Sequence, residues 1–539
     1  MNSVSLQTYE MKPESPNYRL VHFMPLFTFR WLCVSLFLSW SVTISSAQDL
    51  PLVQPGSVDT VATQRLLATV EAFQSGPAAR FGTVALSVRR ARDGQELIGY
   101  NARMSLPSAS TLKLITTGTA LAVLGSSYSY ITTLEYDGTV KDSVLTGNLY
   151  IRGSGDPSLG SWRFTGYPDL ATVQAIWSDA VRKAGIRQIQ GSVVGDATLY
   201  DDLTTPDTWP YGDLGNYYGA SLSALNINEN LYRVFFKPGR TVGAAAGVLR
   251  TDPALPYMTF TNSVTTDAVG TGDQVNIYGA PFATQQWLTG KVPLSTSARD
   301  SEFSVKGALP DPAYFAAFAL RDQLQRDGVA VAGPVSSVGG GLAATVSAEG
   351  SKRTILHQQK SPALLELAQQ TNFQSINLYA EALLRTTARA LDKSVRSTDA
   401  SVKVITEFWR KKGVNLDGFR IKDGSGLSAV GGLTADNMTG ILSAMSRESV
   451  FPQFYGTIPV VGETGTVRTL ARRTAAAGNV RAKSGSIEGV RAYAGYFTSA
   501  DGELMTFAVL VNKYTVGQNR AVTAQLEKIL AGLVGLTGK

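Results

Sequence analysis

Leu106-Pro107-Ser108-Ala109-Ser110-Thr111-Leu112-Lys113 sets a serine three residues ahead of a lysine, at the entrance to a helical run that ends at Gly125. Pro107-Ser108-Ala109 leads in and Gly125 is a suitable stop, so a helix is predicted between them with Ser110 in its first turn. Backbone N–H groups there have no helical partner, and the dipole favours negative charge. Residues three apart share a helix face, which puts the Lys113 amine beside the Ser110 hydroxyl. A serine hydroxyl is a poor nucleophile until a neighbour takes its proton, and lysine can take it only as the neutral amine. Burial and the positive charge of Lys483 are both expected to depress the Lys113 pKa.

Two later segments supply matching chemistry. In Ser375-Ile376-Asn377 the serine hydroxyl can relay a proton to a leaving amine, and the asparagine amide can hold Lys113 and a substrate backbone. Val480-Arg481-Ala482-Lys483-Ser484-Gly485-Ser486-Ile487 reads as a strand. Lys483 and the Ser484 hydroxyl suit the terminal carboxylate of a peptide, and Gly485 would let that peptide approach the backbone. The backbone N–H groups of Ser110 and Ser486 are the expected oxyanion donors. Each segment alone is commonplace, an ordinary helix start or loop; the three in this order and context resemble the active-site set of serine acyltransferases that need no histidine.

Composition narrows the classes. The chain has 539 residues, 44% hydrophobic and 17% charged, enough for a large core and several domains. Arg30, the apolar run Trp31 to Leu38 and Ser45-Ser46-Ala47 read as a secretory signal cleaved after Ala47, with Met24 a more ordinary start than Met1. An uncleaved anchor is the competing reading. No later stretch is apolar for long enough to span a bilayer. The only cysteine, Cys33, lies in the leader, which excludes disulfides, a cysteine nucleophile and thiolate metal sites from the mature chain. His22 also belongs to the leader, leaving His357 with no nucleophile motif near it, so neither a Ser-His-Asp triad nor a histidine zinc site is expected. Asp156, Asp196, Asp201 and Asp202 sit in or near Gly-Asp turn contexts and read as turns rather than a cation site. No metal or cofactor is expected. The net charge of +7 is spread without a basic run, which gives nucleic-acid binding little support.

Along the chain, a helix is predicted near 60–75, and Val84 to Val88 with Glu96 to Tyr100 flank an Asp93-Gly94 hairpin turn. From about 135 to 350 the sequence turns to Gly, Thr, Asp and short β-like runs, with helices near 170–184 and 312–327 and a glycine-rich return at 339–341. Helical pattern resumes at Leu364 to Gln370 and Leu378 to Arg385; a hairpin over 491–511 and a helix from Ala521 to Leu533 close the chain. Strands at both ends suggest one sheet built from both termini beside a helical lobe, with 135–350 inserted.

The segments quoted, with Gly155-Asp156-Pro157-Ser158-Leu159, Ser375 through Glu381 and Asp423-Gly424-Ser425-Gly426-Leu427-Ser428, resemble the D-alanyl-D-alanine carboxypeptidase/endopeptidase family, the class C low-molecular-mass penicillin-binding proteins. The resemblance implies an α+β fold: a penicillin-recognising serine transpeptidase/β-lactamase-like domain with an antiparallel sheet, a helical lobe and two nested, mainly β inserts. The offset of 262 positions from Lys113 to Ser375 fits such insertion. The implied borders are a signal at 1–47, the catalytic domain at 48–135 and 351–539, one insert at 136–235 with its return at 300–350, and a second at 236–299. By resemblance Ser110 is the acylated nucleophile, Lys113 its base, and Ser375, Asn377 and Lys483 support them. The stretch Trp209 to Tyr218 nominates Asp213 and Tyr218 for recognising the free end of diaminopimelate, though a loop-capping aspartate and a packed ring are equal readings. Ile376 stands where aspartate is common and Ser484 where threonine is common. The implied ligands are peptidoglycan peptides and, as covalent inhibitors, β-lactams; the implied location is secreted, in the periplasm. A β-lactamase would need a glutamate-activated water, and no Glu-x-x-Leu-Asn loop is present; a non-catalytic peptidoglycan-binding protein is the third reading.

Overall fold

Alternation along the strand Thr83–Arg90 sends Val84, Leu86 and Val88 to one face of a sheet and Ala85 to the other. The computed structural model describes residues 60–201, 203–295, 302–339 and 352–538; the leader with Cys33 and His22, Asp202, and the glycines at 340–341 lie outside them. Thr83–Arg90 sits between Glu96–Tyr100 and Leu504–Asn512, and the sheet continues through Val490–Thr498 to Arg481–Ile487 at its edge. All four pairings are antiparallel, and the sheet joins strands from both ends of the chain as expected.

The two faces differ in side-chain size. On one, Leu66, Val70 and Phe73 of the helix Thr60–Ser75 and Leu526, Ile529 and Leu533 of Asn519–Val534 cover Val84, Leu86, Phe507 and Val509. On the other, small residues (Ala85, Ala492, Ala494, Ala508) let the helix Lys113–Leu124 and the lobe around Leu383, Trp409 and Leu442 approach closely. Gly125, at φ 80°, terminates Lys113–Leu124, as its sequence position implied.

Four further sheets are built from residues 131–360. The largest orders Val335–Val338, Val193–Asp196, Leu149–Arg152, Ile131–Tyr136 and Thr354–Lys360; its first two pairings are parallel. Helices Leu170–Lys183, capped by Asp169, and Pro312–Arg326, capped by Asp311, bury Trp177, Phe315 and Leu320 in the core of this region. His357 lies on the strand Thr354–Lys360, in a different sheet from Lys483. Among the described residues no helix is long and apolar enough to cross a membrane.

Candidate active site

Ser110 sits in a 3-10 turn, Ala109–Leu112, that leads directly into the helix Lys113–Leu124. The expected first turn is therefore a tighter turn just ahead of the α-helix. Ala109 is held at φ 45°, a left-handed conformation that costs a residue with a Cβ about 1–2 kcal/mol. Ser375, at φ 61°, ends the helix Leu364–Gln374, and the next helix, Asn377–Leu391, starts two residues later. Strain of this kind gathers at functional sites, where the surroundings over-determine the backbone. The helix junction thereby presents Ser375 and Asn377 to one spot.

The three segments converge. Lys113 Nζ lies 2.7 Å from Ser110 Oγ, 2.6 Å from Asn377 Oδ1 and 2.8 Å from the Ser425 carbonyl. Lys483 Nζ lies 2.9 Å from Ser375 Oγ and 2.8 Å from the Ser484 carbonyl. Both lysines are fully buried. The Ser484 hydroxyl is 2.7 Å from Thr466 Oγ1, in the turn Gly465–Val467 beside the edge strand. The Asn377 amide donates to the Tyr218 carbonyl at 2.7 Å, and the Tyr218 hydroxyl donates to Asp213 Oδ1 at 3.2 Å. The nominated pair Asp213 and Tyr218 thus stands against the same cleft, and each makes the other part of its own packing. Ile376 packs toward the core of the 131–360 region.

Burial pushes the Lys113 amine down to about 7, against the opposing pull of Asp423 and Glu381. Lys483 is lowered too, well below the ordinary lysine range, by burial first and then by the charge of Lys113. Lys113 has the Asp423 and Glu381 carboxylates nearby to oppose its own shift. Burial and Asp423 in turn raise the Glu381 carboxyl. Burial also raises the Asp213 carboxyl, and the Tyr218 hydrogen bond opposes it.

Glu381 and Asp423 carry this balance, and neither was singled out from sequence except as part of a resembling segment. Glu381 accepts from the Gly424 N–H with both oxygens at 3.0 Å and from the Ser425 N–H at 2.8 Å. Asp423 accepts from the Gly426 and Ser428 N–H groups and from Trp209 Nε1 at 2.8 Å, tying the segment before Tyr218 to the catalytic lobe. Together they fix the loop whose Ser425 carbonyl faces Lys113.

Gly485 is glycine for a different reason than substrate approach alone. A Cβ there would stand 2.6 Å from the Ser108 carbonyl oxygen and 3.2 Å from the Ser110 nitrogen. The edge strand and the Ser110 turn are in direct backbone contact, which brings the N–H of Ser110 next to the segment carrying Ser486. Gly485→Ala is expected to displace the turn, lower stability by about 1–3 kcal/mol and reduce activity more than the melting point suggests; thermal melts beside peptide turnover check this.

Of the aspartates read as turns, Asp156 accepts from the Ser158 N–H and hydroxyl and Asp196 from those of Thr198, as a turn residue does, and Asp196 also pairs with Arg353; Asp201 instead pairs with the distant Arg385.

Comparison with known proteins follows this geometry. Residues 66–533 match the model of the D-Ala-D-Ala carboxypeptidase 3 (S13) family. The chain is 27% identical over 479 residues to a D-alanyl-D-alanine carboxypeptidase of Actinomadura sp., covering 86% of this chain and 84% of that one. It is 24% identical over 459 residues to the D-alanyl-D-alanine carboxypeptidase DacB of Haemophilus influenzae, covering 83% and 90%. The crystal structure of penicillin-binding protein 4 from Haemophilus influenzae superposes with a TM-score of 0.73 at 20% identity, over 88% of this chain and 99% of that one, which shows that the two share a fold. The chain belongs to the D-Ala-D-Ala carboxypeptidase 3 (S13) family.

Proposed function

We propose that this serine-type D-Ala-D-Ala carboxypeptidase works through an acyl ester on Ser110, with Lys113 as the base, on the stem peptides and cross-links of peptidoglycan. The observation that carries the reading is the 2.7 Å contact between Ser110 Oγ and a buried amine whose pKa lies near neutrality. At neutral pH a large share of Lys113 is neutral and can take the hydroxyl proton as Oγ bonds to the substrate carbonyl carbon. The developing oxyanion is read as bound by the N–H groups of Ser110 and Ser486. As the C–N bond breaks, the proton passes through the Ser375 hydroxyl to the departing amine, and water later cleaves the ester.

Among the described residues the outer side of Arg481–Ile487 meets only Pro459 and Val460, at Arg481 and Ala482, so an extended peptide can pair with the rest of that edge. Lys483 and the Ser484 hydroxyl would then meet the terminal carboxylate. Asp213 and Tyr218, beside Asn377, are read as contacts to diaminopimelate, and the inserts expected at 136–235 with 300–350 and at 236–299 as walls of the cleft. A leader at 1–47 would direct the enzyme to the periplasm. The Haemophilus protein of like fold has been crystallised with a β-lactam, in keeping with acylation of Ser110 by penicillin.

The charge balance has a measurable consequence. Burial and the charge of Lys113 lower the Lys483 pKa, and a substrate carboxylate would raise it again, so binding a carboxylate-terminated peptide should take up a proton and weaken as pH rises. Calorimetry in buffers of different ionisation heat reads this directly; binding without proton uptake contradicts the assigned role of Lys483. The activity is tested by digesting purified muropeptides: release of D-alanine and opening of D-Ala-diaminopimelate cross-links supports the reading, and unchanged muropeptides reject it.

A further inference from the structure

A cavity of about 700 Å³ opens among the helices Leu170–Lys183 and Pro312–Arg326 and the sheet containing Leu231–Lys237, and neither Ser110, Ser375 nor Lys483 lines it. That volume is in the range of small-molecule and peptide sites, about 300–1,000 Å³. Three charged residues cross its wall in register: Asp252 faces Arg233 on the neighbouring strand, and Arg233 faces Lys306 on the next. Like charges directly opposite on antiparallel strands are destabilising. Yet among the described residues no ion pair joins Arg233 or Lys306 to a carboxylate, although burial first, then Arg233 and Arg163, lowers the pKa of the half-buried Lys306, with Glu229 opposing them. Trp162, 50% exposed, and Phe318 supply apolar surface to the same cavity. Lys306 also reaches toward the catalytic cleft: its Nζ lies 5.9 Å from the centre of the Tyr217 ring, which packs edge-on against Tyr218.

We propose that this cavity is a second substrate site, taking the partner stem peptide of a cross-link with a free carboxylate between Lys306 and Arg233, an ammonium on Asp252 and apolar side chains against Trp162. The site rests on the peptidase reading above and deepens it: the order negative, positive, positive across three strands matches a peptide segment bearing both an amine and a carboxylate. It would favour cross-linked over monomeric peptides by holding the half of the substrate that is not acylated.

The test measures binding to Ser110→Ala protein by calorimetry, with a cross-linked stem-peptide dimer and a monomeric pentapeptide as probes. Lys306→Glu and Arg233→Glu should each weaken the dimer by about tenfold or more, with a smaller effect on the monomer, and Lys306→Arg should restore it. Dimer affinity unchanged, or dimer and monomer weakened alike, overturns the site. A dimer-induced tryptophan fluorescence change that disappears in Trp162→Phe supports it, and one that persists there overturns it. Penicillin adduct formation on Ser110 tests the catalytic reading separately.

Discussion

Ser110→Ala should abolish the penicillin adduct seen by mass spectrometry and reduce peptide turnover by about 10⁴-fold or more. The size follows from the site's construction. The Ser110 hydroxyl meets the Lys113 amine, that amine meets Asn377 Oδ1, and its charge reaches the Lys483 amine paired with Ser375; residues that act as a unit lose most of their effect when the reacting atom is removed. The substitution deletes one oxygen, so melting behaviour should change little. An adduct persisting on another residue would place the nucleophile elsewhere.

Lys113→Met should cost about 10²–10⁴ in acylation rate. It also leaves the buried Asn377 Oδ1 and Ser425 carbonyl without their Lys113 donor, so the melting point should fall, in part offset by relief of burying the amine. Lys113→Arg should be as inactive for a different reason, because a guanidinium does not give up its proton near neutrality. In the wild type the acylation rate should rise with pH through about 7, since the protonated amine that dominates below that point cannot accept the hydroxyl proton. A rate flat from acid to alkaline pH would contradict Lys113 as the base.

Much of this site was legible because its chemistry is local in sequence. Ser110 and Lys113 are joined by one turn, Ser375 and Asn377 by one helix junction, and Lys483 to Gly485 by one strand; such spacings fix geometry before tertiary structure is known. The hairpins at Asp93-Gly94 and 491–511, and the helix stop at Gly125, were legible for the same reason. What escaped the sequence is tertiary. Glu381 and Asp423 hold the Ser425 loop against Lys113 from separate segments, and their charge opposes the lowering of the Lys113 pKa. The contact between Gly485 and Ser108, the hydroxyl pair Thr466 and Ser484, and the bond from Trp209 to Asp423 each join residues distant in the chain. The parallel pairings in the 131–360 region were missed too, since short β-like runs carry no sign of strand direction.

The account stands on the protonation state of one amine. Heteronuclear NMR of lysine labelled at Nζ, with the Lys113 signal assigned by its loss in Lys113→Met, follows that state directly. The prediction is a transition from ammonium to amine centred at about 7; a Lys113 signal that remains ammonium through pH 9 would contradict it.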